Sequence, residues 1–171
     1  VKNAVVGSAL LLLGCQAPPG SAGEPRARVY VFIASDCPLS NSYAPEIRRT
    51  IQEYSPRGVR FTLVYVDPDL TLDQVRRHAR DYGYDAPIFL DLSREWVERL
   101  GVHVTPEVAV LTPDGAIAYR GRIDDRAMEL GKTRPEPTQR DLRLALEDVL
   151  QGRPVQVPSA PAVGCFIPSR R

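Results

Sequence analysis

The chain has 171 residues, of which 43% are hydrophobic and 25% charged, a composition that supports one globular domain with a real core. Lys plus Arg is 22 against 21 for Asp plus Glu, so no net field exists to hold nucleic acid or to select an acidic partner. The 16 prolines cluster at Pro18, Pro19 and Pro25, at Pro135 and Pro137, and at Pro154, Pro158, Pro161 and Pro168, which marks a linker, a loop and a C-terminal tail.

Residues 1–15 read as a targeting segment: Lys2 gives a short positive start, residues 4–13 an apolar run, and Gly14 a small residue before Cys15. A run of that length does not span a bilayer as a permanent helix. Leu12, Leu13, Gly14 and Cys15 together resemble a bacterial lipobox, which implies an acyl chain on Cys15, anchoring to a membrane, and a periplasmic or cell-envelope location. A plain secretory signal, or a buried apolar segment with an incidental cysteine, is the alternative. Residues 16–27, rich in Ala, Pro, Gly and Ser, fit a flexible linker. With Cys15 set aside, Cys37 and Cys165 remain, in a compartment where disulfides form and persist.

No internal repeat is visible. Residues 28–34 form a β-branched and aromatic run expected to be a strand buried on both faces, as in a parallel sheet. Tyr43, Ile47, Ile51 and Tyr54 then recur at helical spacing, with Pro38 suited to the first turn and Pro45 predicting a kink or a broken first turn. Residues 59–66 read as a second strand. Thr71 can cap a helix that runs to about Tyr82 and stops at Gly83. Residues 87–91 read as a short strand and 93–100 as a short helix closed by Gly101. Residues 107–111 and 116–120 flank Asp114-Gly115, a hairpin signal. Thr138 is placed to cap a last helix carrying Leu142, Leu146, Val149 and Leu150 on one face, ended by Gly152. Alternating β and α units followed by a hairpin and a helix predict an α/β domain over residues 28–151, with residues 152–171 as a proline-rich tail that carries Cys165.

Cys37 lies where the first strand hands over to a helix, so its sulfur is expected to face unpaired N–H groups and the positive end of the helix dipole. That placement lowers a thiol pKa and supplies an accessible nucleophilic thiolate; the plainer alternative is a buried, inert cysteine. Thr105-Pro106 precedes the fourth expected strand, where a proline cannot donate to a ladder.

These segments, strand-Cys37-Pro38-helix, the run 105–108 (Thr-Pro-Glu-Val) and the Asp-Gly hairpin, resemble the thioredoxin superfamily. The resemblance implies a three-layer sandwich with a mixed five-stranded central sheet and helices on both faces. It also implies a cis peptide at Pro106, whose neighbouring backbone would hold an incoming thiol or peptide with Thr105, Pro38 and Ser40. More narrowly, the runs 37–46, 121–126 and 162–165 look like bacterial redoxin-domain proteins of the thioredoxin and alkyl-hydroperoxide-reductase grouping. Ser40 stands where thioredoxins have a second cysteine. Ala34 and Tyr30 stand where peroxiredoxins have threonine and proline. Cys165 is thus the candidate resolving or storage partner of Cys37, with a purely stabilising disulfide as the alternative. Asp36 and Arg122 are candidates for tuning the thiolate, although exposed charges are more often only solvated. His103 is a candidate for a Cys/His copper site, though two soft ligands make a thin one; no resident metal or cofactor is expected. The leading reading is a thiol-disulfide oxidoreductase acting on protein or small-molecule thiols and disulfides, against a thiol peroxidase or a copper-handling or binding lipoprotein without turnover.

Overall fold

The computed structural model describes residues 23–167. Strand β1 (Ala27–Ile33) leads into α1 (Pro38–Ser42) and α2 (Ala44–Tyr54), and β2 (Val59–Tyr65), α3 (Leu72–Asp81) and β3 (Ile88–Leu90) follow. Next come α4 (Glu95–Leu100), β4 (Val104–Thr105), β5 (Glu107–Leu111) and β6 (Ile117–Gly121). A small hairpin of β7 (Ala127–Glu129) and β8 (Lys132–Thr133) precedes α5 (Asp141–Leu150), and the short strands β9 (Ser159–Ala160) and β10 (Cys165–Phe166) come last. The lipobox resemblance at Cys15 lies outside the described residues; among those, no helix is long and apolar enough to cross a membrane.

β1 sits at the middle of a mixed sheet ordered β3-β2-β1-β5-β6-β9. It pairs in parallel with β2 and antiparallel with β5, and its period-two alternation divides the interior. Val29, Val31 and Ile33 meet Ile47 and Ile51 of α2, Val75 of α3, and Leu142 and Leu146 of α5 in one layer. Phe32 meets Val97 and Leu100 of α4 in the other. Each fully buried side chain of this kind contributes about 1.5–3 kcal/mol relative to exposure, so the two layers together hold the sheet from both faces.

The sheet has six strands where five were expected. The extra strand is β9, which pairs in parallel with β6. It approaches so closely that a Cβ on Gly121 would lie 2.0 Å from the carbonyl oxygen of Ala160, and Gly121 has φ 148°, a conformation that favours glycine. Two residues among prolines carry no periodicity, which is why this strand has no signature in the sequence.

The long helix expected after Cys37 is broken at Tyr43, and Pro45 falls in the first turn of the second piece, α2, where its missing N–H leaves no bond unmade. Thr71 caps α3 through a reciprocal capping box with Gln74. Thr138, by contrast, does not cap α5. Its backbone N–H donates to Asp125 Oδ1 at 2.7 Å, its hydroxyl turns to the other carboxylate oxygen, and α5 starts later, at Asp141, without a side-chain cap. Backbone N–H donation from Gln139, helped by Thr138, holds the Asp125 carboxyl well below the usual range. The competition for Thr138 was therefore decided by a carboxylate distant in sequence.

Candidate redox site

The turn after β1 presents Cys37 with extended backbone (φ −83°, ψ 109°), immediately before Pro38 opens α1. Cys37 occupies the N-cap, and its sulfur does what a capping oxygen does: the Ser40 N–H points at Cys37 Sγ, 3.4 Å away. Because α1 is only 5 residues long, the help expected from a long helix dipole reduces to this local contact.

The turn is fixed from behind by a polar chain. Asp67 Oδ2, at the end of β2, accepts from the Ser35 N–H at 2.9 Å. Asn41 Nδ2 donates to Ser35 O at 2.9 Å, which turns its Oδ1 toward His78 Nε2 at 3.0 Å. His78 therefore carries its proton on Nε2, and Nδ1 accepts from the Tyr65 hydroxyl at 2.8 Å. Burial pushes the His78 pKa down and the Tyr65 pKa up, so both stay neutral near pH 7.

Opposite Cys37, the Thr105–Pro106 peptide is cis, as the family resemblance implied. Buried Glu107 holds the approach to it: Oε2 accepts from the N–H groups of His103 at 2.9 Å and Val104 at 3.3 Å. Thr105 O then lies 3.3 Å from Cys37 Sγ. The chain returns along the outer edge of β4, where β10 pairs antiparallel, with Cys165 opposite Thr105 and Phe166 opposite Val104. Ile167 N–H donates to His103 O at 3.0 Å. Cys37 and Cys165 are joined in a disulfide across a separation of 128 residues, with their Cα atoms 6.2 Å apart, inside the usual range.

Exposure differs from the expectation. Cys37 is 1% exposed and packs with Phe32, Val64 and Val97, whereas Cys165 is half-buried and Phe166 is 82% exposed. In the disulfide form the sulfur of Cys37 is not the accessible one, because it packs into the core and is bonded to Cys165, which with Ile167 lies against the same cluster.

A cavity of about 450 Å³ opens on the disulfide, lined in part by Asp36, Asp67, Arg94, Thr105 and Phe166. Cavities of about 580 and 570 Å³ lie along residues 152–161 and hold no cysteine, so chemistry rather than size marks the site. Arg94, which has no signal in the sequence, is 7% exposed, adopts a left-handed backbone (φ 61°) and leaves Nη1 without a hydrogen-bond partner. Ser40 Oγ and Thr105 Oγ1 are likewise buried and unpartnered. Of these, Arg94 and Thr105 share the cavity with Cys37, in a structure where buried polar groups are normally satisfied.

Asp36 lines this cavity, but Arg122 does not reach it. Its Nε donates to Asp141 Oδ2 at 2.7 Å, and that bond ties it to the first turn of α5 and raises its pKa. The His103 side chain is exposed, and among the described residues no group of three or more His, Cys, Asp or Glu is placed to hold a metal ion.

A cysteine at a strand-to-helix turn facing a cis-proline, within this α/β sandwich, defines a thioredoxin-like fold. A crystal structure of an uncharacterized conserved protein from Geobacillus kaustophilus has a TM-score of 0.74 and 27% identity, covering 84% of this chain and 77% of that one. A hypothetical protein from Sinorhizobium meliloti 1021 also scores 0.74, at 26% identity, with 85% and 81% covered. A candidate thiol:disulfide interchange protein DsbE from Chlorobium tepidum shares the fold at 0.59, with 14% identity and 75% and 82% covered. The chain belongs to the Redoxin family, whose model matches residues 23–133. Nucleoredoxin-like protein 1 of Homo sapiens is 30% identical over 110 residues, 60% of this chain, and the chain spans about half of that curated relative, 52%.

Proposed function

We propose that the protein is an exported thiol-disulfide oxidoreductase whose redox pair is Cys37 and Cys165. The observation that carries this reading is the position of their disulfide, against the cis-Pro106 loop and open to a cavity. An external dithiol reduces the bond, giving two thiols and leaving as its own disulfide. Cys37, as thiolate, attacks one sulfur of a substrate disulfide; a Cys37–substrate bond forms, and the other substrate sulfur leaves as a thiolate that takes a proton from water. Cys165, as thiolate, then attacks Cys37 Sγ, expels the bound substrate sulfur and restores the protein disulfide, so two electrons have passed to the substrate. The Ser40 N–H, 3.4 Å from Cys37 Sγ, is placed to hydrogen-bond the sulfur when it attacks, while Pro38 and Pro106 frame the incoming sulfur. Ser40 in place of a second local cysteine leaves resolution to Cys165. A lipid on Cys15 would hold this chemistry in the oxidising cell envelope.

Equilibration with graded thiol/disulfide buffers, read by mass after alkylation, tests the reading. A reduction potential above about −300 mV, with insulin-disulfide reduction that disappears in Cys37→Ser, is expected. A lower potential with no exchange on any disulfide would make the bond a structural staple and overturn the proposal.

A further inference from the structure

The edge of β4 beside Cys37 is occupied by the protein's own chain. We propose that residues 161–167 fill, in cis, the docking groove of an extended cysteine-bearing peptide, and that reducing the disulfide releases them. The groove takes peptides with glycine immediately before the reactive cysteine. The inference rests on the thiol-disulfide reading above and extends it to the substrate class.

A substrate sulfur bonded to Cys37 must sit where Cys165 Sγ sits now, because the bond is of the same kind. Cys37 is 1% exposed with the segment in place, so an outside disulfide meets it only after the segment has moved. The backbone around that position is already arranged for a strand. Among the described residues β4 has β10 as its one ladder partner, with Cys165 in register with Thr105 and the Ile167 N–H on His103 O. Once β10 leaves, β4 presents an open edge, and an extended peptide is the partner that such an edge recruits through main-chain hydrogen bonds.

The segment also states what the groove accepts. A Cβ on Gly164 would lie 2.4 Å from the carbonyl oxygen of Thr105, 2.8 Å from its carbon and 3.1 Å from its nitrogen. All three are backbone atoms next to the cis peptide, which have no rotamer to yield. Any side chain before the cysteine is excluded, and glycine alone fits. One position past the cysteine, Phe166 is 82% exposed, so the groove places little demand there. Among residues 161–167 only Gly164 is buried. Val163 and Ile167 are half-buried against the core, and beyond those contacts a two-residue ladder and the covalent bond attach the segment. Release needs two electrons from an external dithiol, with a proton taken up at each sulfur that ends as a thiol.

The test uses the full chain carrying Cys165→Ser, with Cys37 reduced. It is challenged with two tetrapeptides, Val-Gly-Cys-Phe and Val-Ala-Cys-Phe, each activated as a thionitrobenzoate mixed disulfide, and with the same activated disulfide of cysteamine as a small probe. Release of the coloured thiolate is expected to be at least about tenfold faster for the glycine peptide than for the alanine peptide, which can react only by standing off the groove and losing its docking contacts. Equal peptide rates alongside a reactive small probe would overturn this inference and leave the oxidoreductase reading standing; silence toward all three compounds would sink both. A second measurement needs no variant: hydrogen exchange at the Ile167 amide should speed up at least about tenfold on reduction of the native chain, and an unchanged rate would show that the segment stays docked.

Discussion

Replacing Cys165 by Ser opens a covalent loop spanning a separation of 128 residues, and its effect on stability follows from the freedom returned to the unfolded chain. In the chain-entropy description a loop of that length is worth ~5 kcal/mol at 25 °C. Two corrections reduce the figure: the denatured chain is more compact than a random coil, and the released β10 carries only a two-residue ladder. A loss of ~3–4 kcal/mol is therefore expected, equivalent to roughly 6–15 °C in Tm for a domain of this size. The assay is urea unfolding of the oxidised protein beside Cys165→Ser, Cys37→Ala and the double variant. Each change removes the same bond, so the three variants should agree to within ~1 kcal/mol, with m values above that of the oxidised protein. A loss below ~1 kcal/mol, or a double variant losing the sum of the two singles, would refute the argument that loop closure stabilises the fold.

Glu107→Ala strips the acceptor from the N–H groups of His103 and Val104. It should lower stability by ~2–3 kcal/mol, with Glu107→Gln recovering part of the loss; a neutral alanine variant in a thermal melt would mean the carboxylate does not hold the cis-proline loop. Gly121→Ala should push β9 off β6, because the new Cβ would meet Ala160 O at 2.0 Å, at a cost of ~2 kcal/mol or more; unchanged melting would contradict that contact. The pH dependence is carried in part by Glu147. Hydrogen bonds from Arg57, opposed by burial and aided by the Tyr54 hydroxyl, bring its pKa from 4.5 to about 2. A carboxyl depressed on folding adds stability that is complete above its unfolded pKa and lost as pH falls through its folded one. The window is thus from about 4.5 down to about 2, and with 34% of the side chain exposed the effect is ~1 kcal/mol after screening. Unfolding free energies measured across that range should lose this component in Glu147→Gln; parallel curves for the two proteins would refute it.

Elements whose cause is local were legible in the sequence. The buried strand at 28–34, the helix cap at Thr71, the broken turn near Pro45 and the Asp-Gly hairpin each follow from a few adjacent residues, through side-chain period or a single fixed dihedral. Cys37 and Pro106 were legible as a pair through family resemblance, and Cys165 as the candidate partner through what was left over. Arg94 was not: nothing in an Asp-Leu-Ser-Arg run distinguishes a buried, left-handed arginine from a solvated one. Thr138 and Arg122 pointed the wrong way, since each was claimed by a carboxylate, Asp125 or Asp141, that only folding brought within reach.

By itself, then, the sequence determined the order of the longer strands and helices up to α5 and the residue type at the strand-to-helix turn, because these depend on interactions a few positions apart. Which sulfur is covered, which edge strand covers it, and which backbone atoms forbid a side chain at Gly164 were decided by tertiary structure alone. The physical reason is that β9 and β10 are held by main-chain pairing with distant partners and by one covalent bond. Two-residue ladders have no side-chain pattern to read, and a long loop closes with an entropy that depends only weakly on its length.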